Sequence, residues 1–157
     1  MAIQAMSTAG LLVKYCVETT AGTRPTSGYT EIPGVTAIPA FGDEVPTLQA
    51  TPLSATVNHT YVIGLRDSGG AIQLTVNDAP AFRTAYSTLQ TAYSTGQGSG
   101  LATWIEYAYP ASSGMDSFYF TAEPADLGFG GAEVDSVLQN MANLIPQSDY
   151  TFAAASS

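Results

Sequence analysis

The chain has 157 residues, room for one domain and too few for two full cores. Charged residues make up 11% of it, against about 25% in an ordinary soluble domain, and Thr, Ser, Ala and Gly stand in their place. The 13 acidic and 4 basic residues give a formal net charge of −9, which excludes tight nucleic-acid binding, since that rests on Lys and Arg neutralising phosphates.

Met1 to Ala9 are small and uncharged and read as a flexible arm, taken as residues 1–10. With no charged n-region it is not a signal peptide, and no window reaches 18 consecutive apolar residues, so no membrane insertion is expected. Synthesis and folding are expected in a reducing cytoplasm, with the lone cysteine, Cys16, as a small buried hydrophobe. Leu11 to Glu18 alternates, with Leu11, Val13, Tyr15 and Val17 on one face, and predicts a half-buried strand. A turn follows at AGTRPTSG.

Pro33, Pro39, Pro46 and Pro52 punctuate the next stretch every six or seven residues. Proline lacks the N–H that a central strand donates, so this region supplies short edge strands (Tyr29 to Ile32, Val35 to Ile38) and extended loop. The loop, at about 41–57, carries Phe41, Val45, Leu48 and Leu53 and is too hydrophobic for simple disorder. Tyr61, Ile63 and Leu65 share a strand face, and Arg66 to Gly70 predicts a hairpin turn back through Ala71 to Val76.

A helix is predicted over about 79–95, with Asp78 as N-cap, Pro80 in the first turn and Gly96 at the end. Its apolar stripe is Phe82, Ala85, Tyr86, Leu89 and Tyr93. GQGSG after it is linker, because a phosphate loop precedes its helix. Leu101 to Tyr109 and Met115 to Ala122 alternate as strands joined by PASSGMD, with Trp104 opposite Thr103, Ile105 and Tyr107. The segment from Glu133 to Ile145 suits a helix through Val134, Leu138, Met141 and Ile145, and a strand through Val137, Met141 and Ile145; it is read as a strand. Six or seven strands and one helix make a mainly-β or α+β domain, a sandwich or barrel with a helix closing one end.

Catalytic chemistry has few carriers here. His59 is the single histidine and reads as an exposed strand-end residue, and no G-x-S-x-G elbow is present. One His and one Cys do not make a zinc site, and no alternating Asp pattern suits calcium. The chain is therefore read as no enzyme, with no cofactor and no metal. Low charge with many small polar residues suits a surface covered by neighbours, because interface cores are depleted in Lys and Glu.

The stretch TEIPGVTAIPAFGDEVPTLQATPL running into HTYVIGLRDSGGAIQLTVND resembles the major tail (tail tube) proteins of long-tailed bacteriophages. The motifs are Ile32 to Pro39, the loop from Phe41 to Val57, and Tyr61 to Gly69 before a strand and the helix. The resemblance implies a β-sandwich-like barrel of about six to eight strands, one flanking helix at about 79–95 and the long projecting loop. The single domain would span 11–152, with 153–157 a flexible tail. Such subunits form hexameric rings that stack into a tube in the virion tail, a conduit for DNA that passes without specific binding. The implied partners are further copies of the chain and the tail initiator, tail terminator and tape-measure proteins. The implied contacts between subunits are the loop residues Phe41, Asp43, Glu44, Val45, Pro46 and Leu48 and the arm residues Ile3 and Met6. An acidic lumen would repel phosphates. Two other readings stand beside it: a carbohydrate- or receptor-binding β-module of a virion surface, with Trp104 as its platform, and a small hydrolase.

Overall fold

The computed structural model describes residues 7–42, 44–65, 69–147 and 150–157. Alternating side chains turn most of the chain into strands: β1 (Leu12–Val17), β2 (Thr30–Glu31), β3 (Val35–Ala37), β4 (Thr47–Gln49), β5 (Tyr61–Ile63) and β6 (Ile72–Asn77). Helix α1 (Pro80–Gly98) follows, then β7 (Thr103–Ala108), a 3-10 turn at Ala111–Ser113, β8 (Ser117–Pro124), β9 (Gln139–Pro146) and β10 (Thr151–Ala153). Seven strands hydrogen-bond in the order β2-β1-β7-β8-β9-β6-β3 and curl into a half-barrel, with β10 added beside β8 and α1 flanking. The mainly-β fold with one flanking helix, expected from the sequence, is the fold observed.

All pairings in this sheet are antiparallel. Period-2 patterning places Ile72, Leu74 and Val76 of β6, Ile105 and Tyr107 of β7, and Phe118 and Phe120 of β8 in one core. The helix lays Phe82, Tyr86 and Leu89 onto the same core. Each fully buried Phe or Leu stabilises the fold by about 1.5–3 kcal/mol. The Tyr86 hydroxyl donates to the Ala125 carbonyl, which Gln90 also reaches at 3.3 Å, tying the helix to the turn after β8.

Strands β7 and β8 are covered on both faces. Opposite the helix, the turn at 19–29 places Tyr29 against Tyr119 (ring centroids 5.8 Å apart) and the Arg24 guanidinium 4.1 Å above the Tyr119 ring. Residues 154–157 lie on the same side, with Ser156 bonded to Glu106.

Four details differ from expectation. Strand β5 pairs with β4, not with β6, so 61–76 is no hairpin; β4 and β5 form a separate two-stranded sheet (Thr47↔Ile63, Gln49↔Tyr61) while β6 takes β9 and β3. The Arg66–Ser68 part of the expected turn lies outside the described residues. Asp78 does not cap the helix. Ala79 holds the N-cap position, and the Asp78 carboxylate instead takes both ends of the Arg83 guanidinium, at 2.6 and 2.7 Å. The helix also continues past Gly96 to Gly98, because Gly96 is buried against β1, where a Cβ would come 2.9 Å from Val17 Cγ1. Finally, β9 begins at Gln139, and its inward residues are Asn140, Ala142 and Leu144; Met141 and Ile145 point outward. An asparagine can face inward there because its side-chain amide donates to the Gly128 carbonyl at 2.7 Å.

Candidate assembly interface

Residues 44–65 leave the body as an arm. Its two strands are closed at the base by the Gly64 N–H donating to the Pro46 carbonyl (2.7 Å) and further out by Ala50 N–H to the Thr60 carbonyl (2.8 Å). Glycine lets the two strands close tightly at the base: a Cβ on Gly64 would crowd Pro46, coming 3.2 Å from its Cγ and 3.3 Å from its carbonyl oxygen. Towards the tip Gln49, Thr51 and His59 hydrogen-bond one another, with Gln49 Nε2 2.8 Å from His59 Nδ1. His59 is thus part of the arm's own scaffolding, held by Gln49 and Thr51.

The arm's apolar side chains do not form a core. Val45, Leu48, Leu53, Val57, Tyr61, Val62, Ile63 and Leu65 are all exposed, Val57 at 87% and Leu65 at 92%. An isolated two-stranded ribbon is marginal in water, and one that turns this much apolar surface outward has nothing of its own to bury it against.

The six loop residues singled out by resemblance divide. Phe41 is half-buried in the body, its ring centroid 5.3 Å from Phe120 and from Tyr150 and 5.8 Å from Phe118, so it anchors the segment that leads into the arm. Glu44, Val45, Pro46 and Leu48 are exposed along the arm. Asp43, Ile3 and Met6 lie outside the described residues. The segment read as a tail, 153–157, runs along the body, and Ser157 N–H donates to the Thr26 carbonyl at 3.2 Å.

A second exposed apolar area joins the turn after β8 to the outer face of β9: Phe129, Val134, Val137, Leu138, Met141 and Ile145. The turn is pressed against β9 so tightly that a Cβ on Gly130 would stand 2.0 Å from the Gln139 carbonyl oxygen. Sequence reading assigned Met141 and Ile145 to a strand face without asking which way the face points; the inward asparagine was the signal.

At both ends of the seven-strand order the sheet is open. Edge strands β2 and β3 are two and three residues long, and β3 carries an irregularity between Val35 and Ala37. Short, bulged, proline-flanked edges resist unspecific pairing, yet they leave backbone groups for a specific neighbour.

Two buried carboxylates escaped the sequence reading. Glu18 accepts the Trp104 indole N–H (2.8 Å) and the backbone N–H groups of Gly22 and Ala102 (3.1 Å each). Burial pushes its pKa up, but these donors outweigh burial and hold the carboxyl below its ordinary value. Trp104 is half-buried, and its indole N–H is committed to an internal partner.

Glu106, 0% exposed, accepts Ser156 N–H (3.1 Å) and Ser156 O–H (2.6 Å) and shares the Tyr119 hydroxyl. Burial again raises its pKa, and the Ser156 side chain and backbone, with Tyr119, more than compensate. Both acids are satisfied acceptors, not poised acids or bases. Among the described residues no three His, Cys, Asp or Glu side chains group as a metal site, and no helix is long and apolar enough to cross a membrane. Cys16 is half-buried, its Sγ near the Ser27 carbonyl.

No protein-family model and no curated protein sequence matches the chain. Among solved structures, a chain of the anti-feeding prophage baseplate (cryo-EM, 6-fold symmetrised) is 18% identical over 98% of both chains, with a TM-score of 0.62. A chain of the anti-feeding prophage cap, which terminates that tube, is 16% identical over 99% of this chain and 95% of its own (TM-score 0.63). A chain of the native gene transfer agent virion is 13% identical over 96% of this chain and 100% of its own (TM-score 0.57). The half-barrel with its flanking helix is thus a fold that this chain shares, over nearly its whole length, with chains of those particles.

Proposed function

We propose that this chain is a structural, non-enzymatic subunit of a phage-type tail, and that it self-assembles into stacked hexameric rings forming a tube through which DNA passes. The observation that carries the reading is the arm: eight exposed apolar side chains on a ribbon that pairs with no other strand among the described residues. The shared fold supports it, since the structures it comes from are a 6-fold symmetrised baseplate, a tube-terminating cap and a virion.

In this reading Val45, Pro46 and Leu48 with the arm tip reach the adjoining subunit or ring, and Phe41 fixes the direction in which they reach. Glu44 would sit at the arm's base beside that contact. Residues 1–10, including Ile3 and Met6, add a further contact on stacking. The open edges at β2 and β3 and the apolar outer face of β9 supply the joints within a ring. The net charge of −9, repeated in every subunit, keeps DNA phosphates from sticking to the tube wall. Initiator, terminator and tape-measure proteins complete the set of partners, and the place of action is the particle.

The test is light scattering on the concentrated protein with negative-stain microscopy of the same sample. Uniform hollow tubes or rings are expected, and deletion of the arm (44–65) is expected to leave a folded chain that no longer stacks. A chain that stays monomeric even with a tail-initiator seed would overturn the reading.

A further inference from the structure

Strand β8 is served by two different strands along one edge. Its second half pairs with β9 (Ala122↔Pro146, Pro124↔Leu144), and its first half pairs with β10 (Tyr119↔Thr151, Ser117↔Ala153). The strands β9 and β10 run in the same direction along β8, but between the two pairings five steps on their side, Pro146 to Thr151, face three on β8, Ala122 to Tyr119. Strand β9 ends at Pro146 and β10 begins at Thr151, so the two pairings are separate strands along one edge. β6 leaves β9 at Ile72↔Leu144, so β10 has no strand on its other side among the described residues.

What holds 151–157 in this place is mostly polar and specific. The Tyr119 hydroxyl, with one proton, stands between the Ala154 carbonyl (2.7 Å) and Glu106 Oε1 (3.1 Å). Glu106 then takes both donors of Ser156. Phe152 lays its ring on Phe118 (5.1 Å between centroids) yet remains 60% exposed. Take the segment away, and the buried Glu106 carboxylate loses both Ser156 donors and keeps, among the described residues, only those of β8, Tyr119 and Ser117. Such a carboxylate is strongly unfavourable without its hydrogen bonds, so the groove demands an occupant that brings an N–H and a hydroxyl to Glu106 and a strand edge to 117–119.

We propose that the β8 edge at 117–119, with Glu106 behind it, is a strand-accepting site for a second copy of this chain, and that segment 151–157 exchanges between copies on assembly. The identity of the partner rests on the self-assembly reading above. Exchange of an identical segment preserves every hydrogen bond of the groove, so the balance between the two arrangements is set by local concentration. In a dilute subunit the chain's own segment fills the site. In a ring, where neighbouring copies are held side by side, the neighbour's segment competes on equal chemical terms.

The experiment uses full chains on a Cys16→Ser background. Ser117→Cys and Ala153→Cys are cross-strand partners, and opposed residues of antiparallel strands lie about 4.5–5.5 Å apart, within disulfide reach. Chains carrying one or the other are mixed, concentrated until particles form, and oxidised. A disulfide-linked mixed dimer that forms in particles, is absent from dilute monomer, and is lost when Ser156→Ala is added is the expected result. Chains carrying both cysteines, oxidised as dilute monomers to lock the segment in its own subunit, are expected to lose particle formation and to regain it on reduction. Particles that form equally well from locked chains, with no mixed dimer from the singles, overturn exchange and leave the assembly reading standing. If the parent chain forms no particles at all, the assembly reading fails on its own, and absence of mixed dimer at high concentration overturns exchange as well.

Discussion

Leu74 and Leu53 are both leucines in β-rich stretches, yet the first is sealed in the core and the second stands fully in solvent. The apolar residues of β6, Ile72, Leu74 and Val76, are buried like Leu74, and the large apolar residues of the arm are exposed like Leu53. In the sheet, every apolar residue at an inward position removes surface from water within its own subunit, so it stabilises the fold directly. In the arm, the same chemistry gains nothing for the isolated chain and becomes favourable only against another surface. The difference separates residues that hold the fold together from residues that the proposed assembly would use, and substitutions on either side of that line should fall into two classes.

The largest stability effect is expected in the core. Phe120→Ala should cost about 3–5 kcal/mol in urea unfolding, because it opens a cavity among Phe41, Phe118 and Tyr107. A loss under about 1 kcal/mol would mean that this aromatic cluster collapses around the gap. Glu106→Gln comes next, at about 1–3 kcal/mol near neutral pH, since one acceptor of a buried network becomes a donor. It should also flatten the acid side of the stability profile. The folded-state pKa of Glu106 is depressed, so its contribution is present above the ordinary carboxylate value of about 4.3 and disappears as pH falls through the lower folded value. Urea midpoints across that range, wild type against variant, read this directly.

Trp104→Phe keeps an aromatic ring in place and removes the indole donor to Glu18; about 1 kcal/mol is expected, measured in the same way. The smallest effect on stability belongs to the arm. Leu53→Ser with Val57→Ser should change the unfolding free energy in urea by no more than about 0.5 kcal/mol, as exposed positions do, while abolishing the association expected in light scattering. A substantial loss of stability in the double variant would erase the distinction between the two leucines, because it would show the arm packed on its own subunit.

Much of the architecture was legible because period 2 and period 3.6 report which residues share a face. The strands at 12–17, 72–77, 103–108 and 117–124 and the stripe Phe82, Tyr86, Leu89 were readable in this way. Patterning says nothing of which strand lies alongside. The glycines at 69 and 70 promised a local hairpin from 61–65 to 71–76, yet the 61–63 strand found its partner at 47–49. Asp78 shows a related blindness: a carboxylate one residue before Ala79 looks like a cap whether it bonds the backbone or Arg83. For the candidate interface, the proline-spaced hydrophobes between Phe41 and Val57 flagged an unusual segment, but its extension to Leu65 depended on the 47–49 pairing. The Glu106–Ser156 contact joins positions fifty residues apart that share no pattern, and only the folded chain brings them together.

The strand order also has a consequence for how the subunit is made. β1 finds its full-length partner in β7, with Leu12 opposite Ala108, and β6 finds its own in β9, with Ile72 opposite Leu144. A chain emerging from the ribosome therefore exposes its arm well before the strands that complete the sheet exist, and β1 waits about ninety residues for its mate. Pairings of such long range close slowly, since the entropy of a large loop is lost before any contact compensates it. Truncated chains carry a sticky ribbon with no finished body behind it. Translation to the last strands is what gives that ribbon its finished body.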